Sequence, residues 1–305
     1  MNNDTVTEFI LLGLSNDPVT QIFLFVVFTT VYILILLGNT LIMFLTITDR
    51  CLHTPMYFFL FNLSLLDILY STSSLPRMLK DLLSLHKSIS YGECAAQMLF
   101  SLSFGISECI LLAVMAYDRY IAICYPLHYT SIIKKSFCIK IVMSIYICVF
   151  LLSISDVALT FNLNFCGHNK INHFLCEVPE ILSLGCENIL VLEFVIYLSA
   201  VVILLTPVTF IVISYVRIIV TIRNLASGAG KQKVFSTCSS HIIVVTIFYG
   251  SAIAAYMKPK SSSITDNDKM IALFYLFLTP LLNPFIYTIR NKDVKESLKK
   301  LARSM

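Results

Sequence analysis

The chain has 305 residues, of which 57% are hydrophobic and only 13% charged, with a mean hydropathy of +0.83. Soluble domains average about 25% charged residues, so an ordinary soluble domain is excluded and a polytopic membrane protein is indicated. The formal net charge of +4 does not point to nucleic acid, because the basic residues flank apolar runs; in the absence of Trp, the 15 Tyr and 22 Phe must supply the interfacial aromatics.

Length and apolarity predict seven spans, at roughly 22–48, 56–79, 95–125, 138–160, 190–222, 234–257 and 268–289. The fold class is therefore an all-α membrane protein: a seven-transmembrane helix bundle in one domain, 1–305. A tail at 1–21 precedes the bundle at 22–289, and an amphipathic tail follows at 290–305. No self-similar half is visible, which argues against a transporter built from repeats. Of the 22 Lys and Arg, 15 fall on the side of the C-terminus and 7 on the other. That bias predicts a cytoplasmic C-terminus and an extracellular N-terminus. Residues 1–17 lack a basic n-region, so no cleavable signal is expected and the first span serves as its own insertion signal.

In chain order, Asn3-Asp4-Thr5 comes first and fits an N-glycosylation acceptor. Gly38-Asn39 follows inside the first span, where a buried Asn needs partners and should face the bundle. Pro55 suits the first turn of the second helix. Asp67 lies mid-membrane, and Glu108 lies ~16 Å along the third helix from Arg119. Two carboxylates inside one bundle require a cation, a shared proton or polar partners. The functional reading is a sodium or proton site between the second, third and seventh helices, supported by Asn39 and Asn283. The alternative is a structural hydrogen-bond node without an ion. Asp118 and Arg119 sit side by side where the third run leaves the bilayer; beside Arg, the Asp can stay ionised, as an anchor or as a switch. Asp156 sits near the outer end of the fourth span, where it can reach water.

Cys94, Cys166, Cys176 and Cys186 fall on the oxidising side, and four cysteines allow three pairings. A rival reading takes His168, His173, Cys166 and Cys176 as soft-metal ligands, but a disulfide sulfur is not a thiolate and the compartment favours disulfides. The remaining six cysteines read as reduced packing residues. Pro207 should kink the fifth helix. Cys238, Ser240 and His241 offer a nucleophile and a base but no third partner or oxyanion machinery, so an enzyme is not expected. Asn283-Pro284 should form a polar hinge near Asp67, with Tyr287 one turn further on. Beyond it, Val294, Leu298 and Leu301 share one face and basic residues fill the other, as in a helix lying on an anionic leaflet.

Four strings carry a resemblance. They are Met115-Ala-Tyr-Asp-Arg-Tyr-Ile-Ala-Ile-Cys-Tyr-Pro-Leu-His-Tyr129, Leu52-His-Thr-Pro-Met-Tyr-Phe-Phe-Leu60, Lys231-Gln-Lys-Val-Phe-Ser-Thr-Cys-Ser-Ser-His241 and Asn283-Pro-Phe-Ile-Tyr287. Together with Thr7-Glu-Phe-Ile-Leu-Leu-Gly-Leu14, they resemble the odorant receptors of the tetrapod class, within the rhodopsin-like G-protein-coupled receptors. Val234 departs slightly from the pattern, standing where Ala is commoner.

The resemblance implies a plasma-membrane receptor for a small, mostly apolar volatile odorant. It implies coupling to the stimulatory (olfactory) G protein, a rise in cyclic AMP and, for many members, a trafficking chaperone. It implies disulfides Cys94–Cys176 and Cys166–Cys186. Asp67 matches the usual sodium-site aspartate, and Glu108 a second carboxylate that odorant receptors carry. The implied switch residues are Asp118, Arg119, Tyr120, Tyr215, His241, Asn283, Pro284 and Tyr287. The implied ligand cavity is lined by Ser101, Leu102, Gly105, Ile106, Val178, Ser199, Val202, Ile203, Tyr249, Ala252, Ile253, Tyr256, Leu273 and Leu276. That set holds no charge; Tyr256, Ser101 and Ser199 are its hydrogen-bonding groups. Ser101 stands where amine receptors carry an aspartate, which argues against a biogenic amine, and Phe277 replaces the retinal lysine of opsins. A channel or transporter using Asp67 and Glu108 as ion-path residues is the competing class.

Overall fold

Each apolar run folds into a helix because lipid leaves backbone groups no partner but their own chain. The computed structural model describes residues 6–165, 168–186, 189–223, 228–257 and 266–304. Helix α1 (Pro18–Thr48) starts where the Asp17 carboxylate accepts the Thr20 backbone N–H at 2.8 Å, with Pro18 in the first turn. Helix α2 (Pro55–Leu82) also starts on proline. Helix α3 (Tyr91–Cys124) opens with a capping box, in which Ser90 and Glu93 each satisfy the other's backbone N–H. Helices α4 (Lys135–Phe161), α5 (Leu190–Arg223) and α6 (Gly228–Tyr256) follow. Helix α7 comes in three parts: Asp266–Leu273, a π-helical turn at Phe274–Leu278, and Thr279–Arg290. Helix α8 (Lys292–Ser304) runs on after Asn291.

Helices α1 to α7 each contain a segment long and apolar enough to cross a membrane. At the centre lies α3, which packs against α2, α4, α5 and α6. Its position gives one helix access to both ends of the bundle. Helices α1 and α7 approach closely: a Cβ built on Gly38 would lie 2.8 Å from Cγ of Pro284. Glycine is required there by space alone.

Part of the segment before α1 is a strand rather than a plain tail. Strand β1 (Glu8–Leu11) pairs antiparallel with β2 (Ser88–Ser90) and parallel with β3 (Lys170–Ile171). Phe9 and Leu11 alternate inward and pack with Ile89, Cys94, Phe165, Cys176 and Ile181. The Cys94–Cys176 disulfide, with Cα atoms 5.5 Å apart, ties the following loop to the start of α3. Cys166 and the acceptor Asn3 lie outside the described residues.

At the other end, α8 docks on the bundle. Val294 is fully buried, and Leu298 and Leu301 pack against the same core. Lys300 Nζ lies 3.4 Å from Asp49 Oδ2, and the Tyr57 hydroxyl sits 3.0 Å from Asn291 Oδ1 and 2.8 Å from Asp293 Oδ2. The apolar face read as a lipid contact is thus largely an intramolecular one.

Candidate functional site

A cavity of about 150 Å³ lies below the disulfide-tied loop, between α3, α4, α5, α6 and α7. Of the fourteen residues expected to line a cavity, Ser101, Leu102, Gly105, Ile106, Val178, Ser199, Ile203, Ala252 and Tyr256 line it. Five stand elsewhere. On α5 the inward stripe is Ile196, Ser199, Ala200, Ile203 and Leu204, and Val202 falls off that stripe onto the exposed surface. Tyr249 is buried below the cavity, where its hydroxyl donates to the Cys109 carbonyl at 2.7 Å. Ile253 packs into the central core, and Leu273 and Leu276 pack toward α1 and α2. The π-helical turn rotates the phase of α7, so that Tyr275 meets the cavity instead.

Three acidic residues also line the cavity: Asp156, Glu177 and Glu193. The expectation of an uncharged lining is therefore corrected. Glu177 follows Cys176, and the disulfide sets its place. The Tyr275 hydroxyl lies 2.7 and 2.8 Å from its two oxygens, and the Tyr256 hydroxyl donates at 3.5 Å. Burial pushes the Glu177 carboxyl up to about 7, against the opposing pull of the tyrosine hydrogen bonds. The other two hydroxyls named from sequence are engaged as well. Ser101 Oγ lies 3.2 and 3.3 Å from the hydroxyls of Ser73 and Ser74, and Ser199 Oγ donates to the Ile196 carbonyl at 2.7 Å.

Midway along the bundle, Asp67 and Glu108 are fully buried. Asn283 donates to both oxygens of Asp67, at 3.1 and 3.0 Å. Asn39 donates to the carbonyls of Ile35 and Pro280, each at 3.0 Å. Both oxygens of Glu108, Oδ1 of Asn39, Oδ1 of Asn283 and Oγ of Ser71 are buried without a hydrogen-bond partner among the described residues. A set of oxygens of this kind fits a hard monovalent cation rather than a soft metal. The His168/His173 metal reading fails on chemistry, because Cys176 is oxidised in the disulfide. Among the described residues no cluster of three His, Cys, Asp or Glu side chains forms a metal site.

Beyond this layer, Asp118 and Arg119 are both buried near the end of α3. Asp118 Oδ1 accepts from the Tyr129 hydroxyl at 2.9 Å. The Arg119 charge lies within electrostatic reach of Tyr215, His241 and Tyr287. The Tyr215 hydroxyl and His241 Nδ1 are 2.8 Å apart. The Tyr287 hydroxyl is buried with no partner among the described residues. Pro284 abuts Gly38, and the Tyr120 hydroxyl points at that of Tyr125, 3.5 Å away. Sequence reasoning missed Tyr129, although it closes the string that begins at Met115.

Seven membrane helices, a cavity under a tied loop and buried charge at the opposite end define a seven-helix receptor. The olfactory receptor family model matches residues 28–304. Olfactory receptor 2D2 of Homo sapiens is 48% identical over 302 residues, covering 99% of this chain and 97% of that receptor. Olfactory receptor 5AR1 of Mus musculus is 45% identical over 300 residues, covering 98% and 97%. Olfactory receptor 13D1 of Homo sapiens is 47% identical over 300 residues, covering 98% and 87%. The chain belongs to the olfactory receptor family: it is a multi-pass, odorant-sensing G-protein-coupled receptor and not an enzyme.

Proposed function

We propose that a small, mostly apolar volatile odorant binds in the cavity between α3 and α7 and shifts the bundle toward a conformation open at its other end. The N-terminus is then extracellular, and the Arg119 end receives the stimulatory olfactory G protein, raising cyclic AMP. One observation carries this reading. Helix α3 alone contributes Ser101, Leu102, Gly105 and Ile106 to the cavity, Glu108 to the polar layer, and Asp118 and Arg119 to the buried charge beyond. A displacement of that helix couples all three levels. The ligand need only bind the open state more tightly than the closed one.

A sodium ion in the polar layer would be held by Asp67 and Glu108, with oxygens of Ser71, Asn39 and Asn283 in support. Such an ion would neutralise carboxylate charge inside the bundle. The donor chemistry supports it: these are oxygens only, most of them buried without partners.

The test is cyclic AMP in cells expressing the chain with the olfactory G protein, challenged with a panel of volatiles, with surface staining in parallel. A response that Arg119→Ala abolishes at equal surface density is the expected result. A response that survives Arg119→Ala would remove Arg119 from the switch. Odorant-independent ion flux in vesicles without G protein would favour a channel instead.

A further inference from the structure

Most of the cavity wall is apolar, with Leu102 and Ile106 of α3, Ile203 of α5 and Phe248 of α6 among its lining residues. Its volume of about 150 Å³ suits one benzene-sized molecule. Three lining residues are acidic, and none of the described lining residues is Lys, Arg or His. The acids come from three separate elements: Asp156 from α4, Glu177 from the loop after the disulfide, and Glu193 from the first turn of α5.

These acids are not equivalent. Glu177 is held by Tyr275 and Tyr256, and Glu193 has a partner of its own within the protein. Asp156 is half-buried, and its carboxylate makes no hydrogen bond to any described residue; the Thr160 hydroxyl uses only its backbone carbonyl, at 2.7 Å. An unpaired carboxylate against an apolar wall is costly. A hydrocarbon ligand leaves that cost in place, and a carboxylic acid adds a like charge. An ammonium removes the cost by supplying both a counter-charge and hydrogen-bond donors.

We propose that the cavity selects small amines, bound as ammonium ions, with Asp156 as the counter-ion and the apolar wall enclosing the carbon skeleton. The inference rests on the cavity being the odorant site and narrows its ligand class. Ser101 supplies no charge from α3, and α4 supplies it instead. The hydroxyl of an alcohol also donates to Asp156 but brings no charge, so an alcohol of the same skeleton ranks between the amine and the hydrocarbon.

The experiment uses the purified full-length receptor in lipid nanodiscs, with empty discs as the partition control. Four probes share one skeleton: benzylamine, benzyl alcohol, toluene and benzoate. Ligand-induced shifts in thermal unfolding give their relative affinities. Benzylamine should bind tightest and benzoate weakest. Asp156→Asn should weaken benzylamine by roughly ten- to a hundredfold while leaving toluene within about threefold, and Asp156→Glu should restore the preference. The amine-over-benzoate order on the unaltered receptor needs no variant, so a misfolded substitution does not spare the proposal. Benzoate binding as well as benzylamine, benzylamine binding that Asp156→Asn leaves unchanged, or no benzylamine binding at all would overturn it. Failure of the receptor reading looks different: benzylamine binds through Asp156 but raises no cyclic AMP in cells with the receptor at their surface.

Discussion

Asn283 of α7 reaches across 216 positions of sequence to donate to both carboxylate oxygens of Asp67 in α2, at 3.1 and 3.0 Å. Both residues are buried, so the amide is the hydrogen-bond donor that keeps this carboxylate in the bundle. The contact also joins the segment of α7 that contains Pro284 to the layer that includes Glu108.

Removing the donor should therefore cost more than removing the charge. Asn283→Ala leaves Asp67 unpaired and should destabilise the folded receptor by about 1.5–3 kcal/mol, read as a lower thermal midpoint in detergent. Adding Asp67→Asn to that variant should recover part of the loss, because a neutral amide is easier to leave buried. If sodium occupies the layer, replacing choline chloride with sodium chloride at constant ionic strength should raise the wild-type midpoint. Glu108→Gln should abolish that increment. An identical response to the two salts would remove sodium from the site.

Packing between α1 and α7 makes a second prediction. A Cβ on Gly38 would lie 2.8 Å from Cγ and 3.1 Å from Cβ of Pro284, both atoms of a rigid ring. The ring cannot swing aside as a long side chain would, so the helices must part. Gly38→Ala should lower the thermal midpoint, and Gly38→Val should do so further, by about 1–3 kcal/mol for overpacking of this kind. The same series at Gly92, where a Cβ meets nothing within 4 Å, is the control and should leave stability near wild type. Equal effects at the two positions would mean that helix propensity, not the Pro284 contact, controls the loss.

The membrane helices were legible because lipid demands long unbroken apolar runs, and their observed ends fall within a few residues of the expected ones, apart from the earlier start of α6 at Gly228. Strand β1 was not legible. Phe9, Ile10 and Leu11 are apolar in a row, without the alternation that marks a half-buried strand, and the pairing partners lie far off in sequence. In the cavity, the α3 positions implied by the resemblance fell on the wall, in ordinary helical phase. The α7 positions did not, because the π-helical turn at Phe274–Leu278 shifts that phase and presents Tyr275. Glu177 was hidden for a different reason: a loop residue has no period, and only the Cys94–Cys176 link fixes where it points. Asp156 stood out in the sequence as an acid in an apolar run, but which side of α4 met the cavity depended on tertiary packing.

The Glu177 cluster gives the last prediction, which concerns pH. Burial raises the Glu177 carboxyl to about 7, well above the ordinary glutamate range, while its bonds from Tyr275 and Tyr256 act in the opposite direction. A carboxyl raised on folding favours the folded state while it is protonated. That contribution is fully present below the unfolded value and is lost as pH rises through about 7. The wild-type receptor should therefore lose thermal stability between about pH 5 and pH 8 through this group. In Glu177→Gln the side chain stays neutral, and its amide oxygen can still accept from Tyr275. The midpoint difference between variant and wild type should be small at the acid end and should grow in favour of the variant toward the alkaline end. A difference that stays constant across the window would mean that Glu177 does not titrate there, and that the two tyrosines hold it ionised throughout.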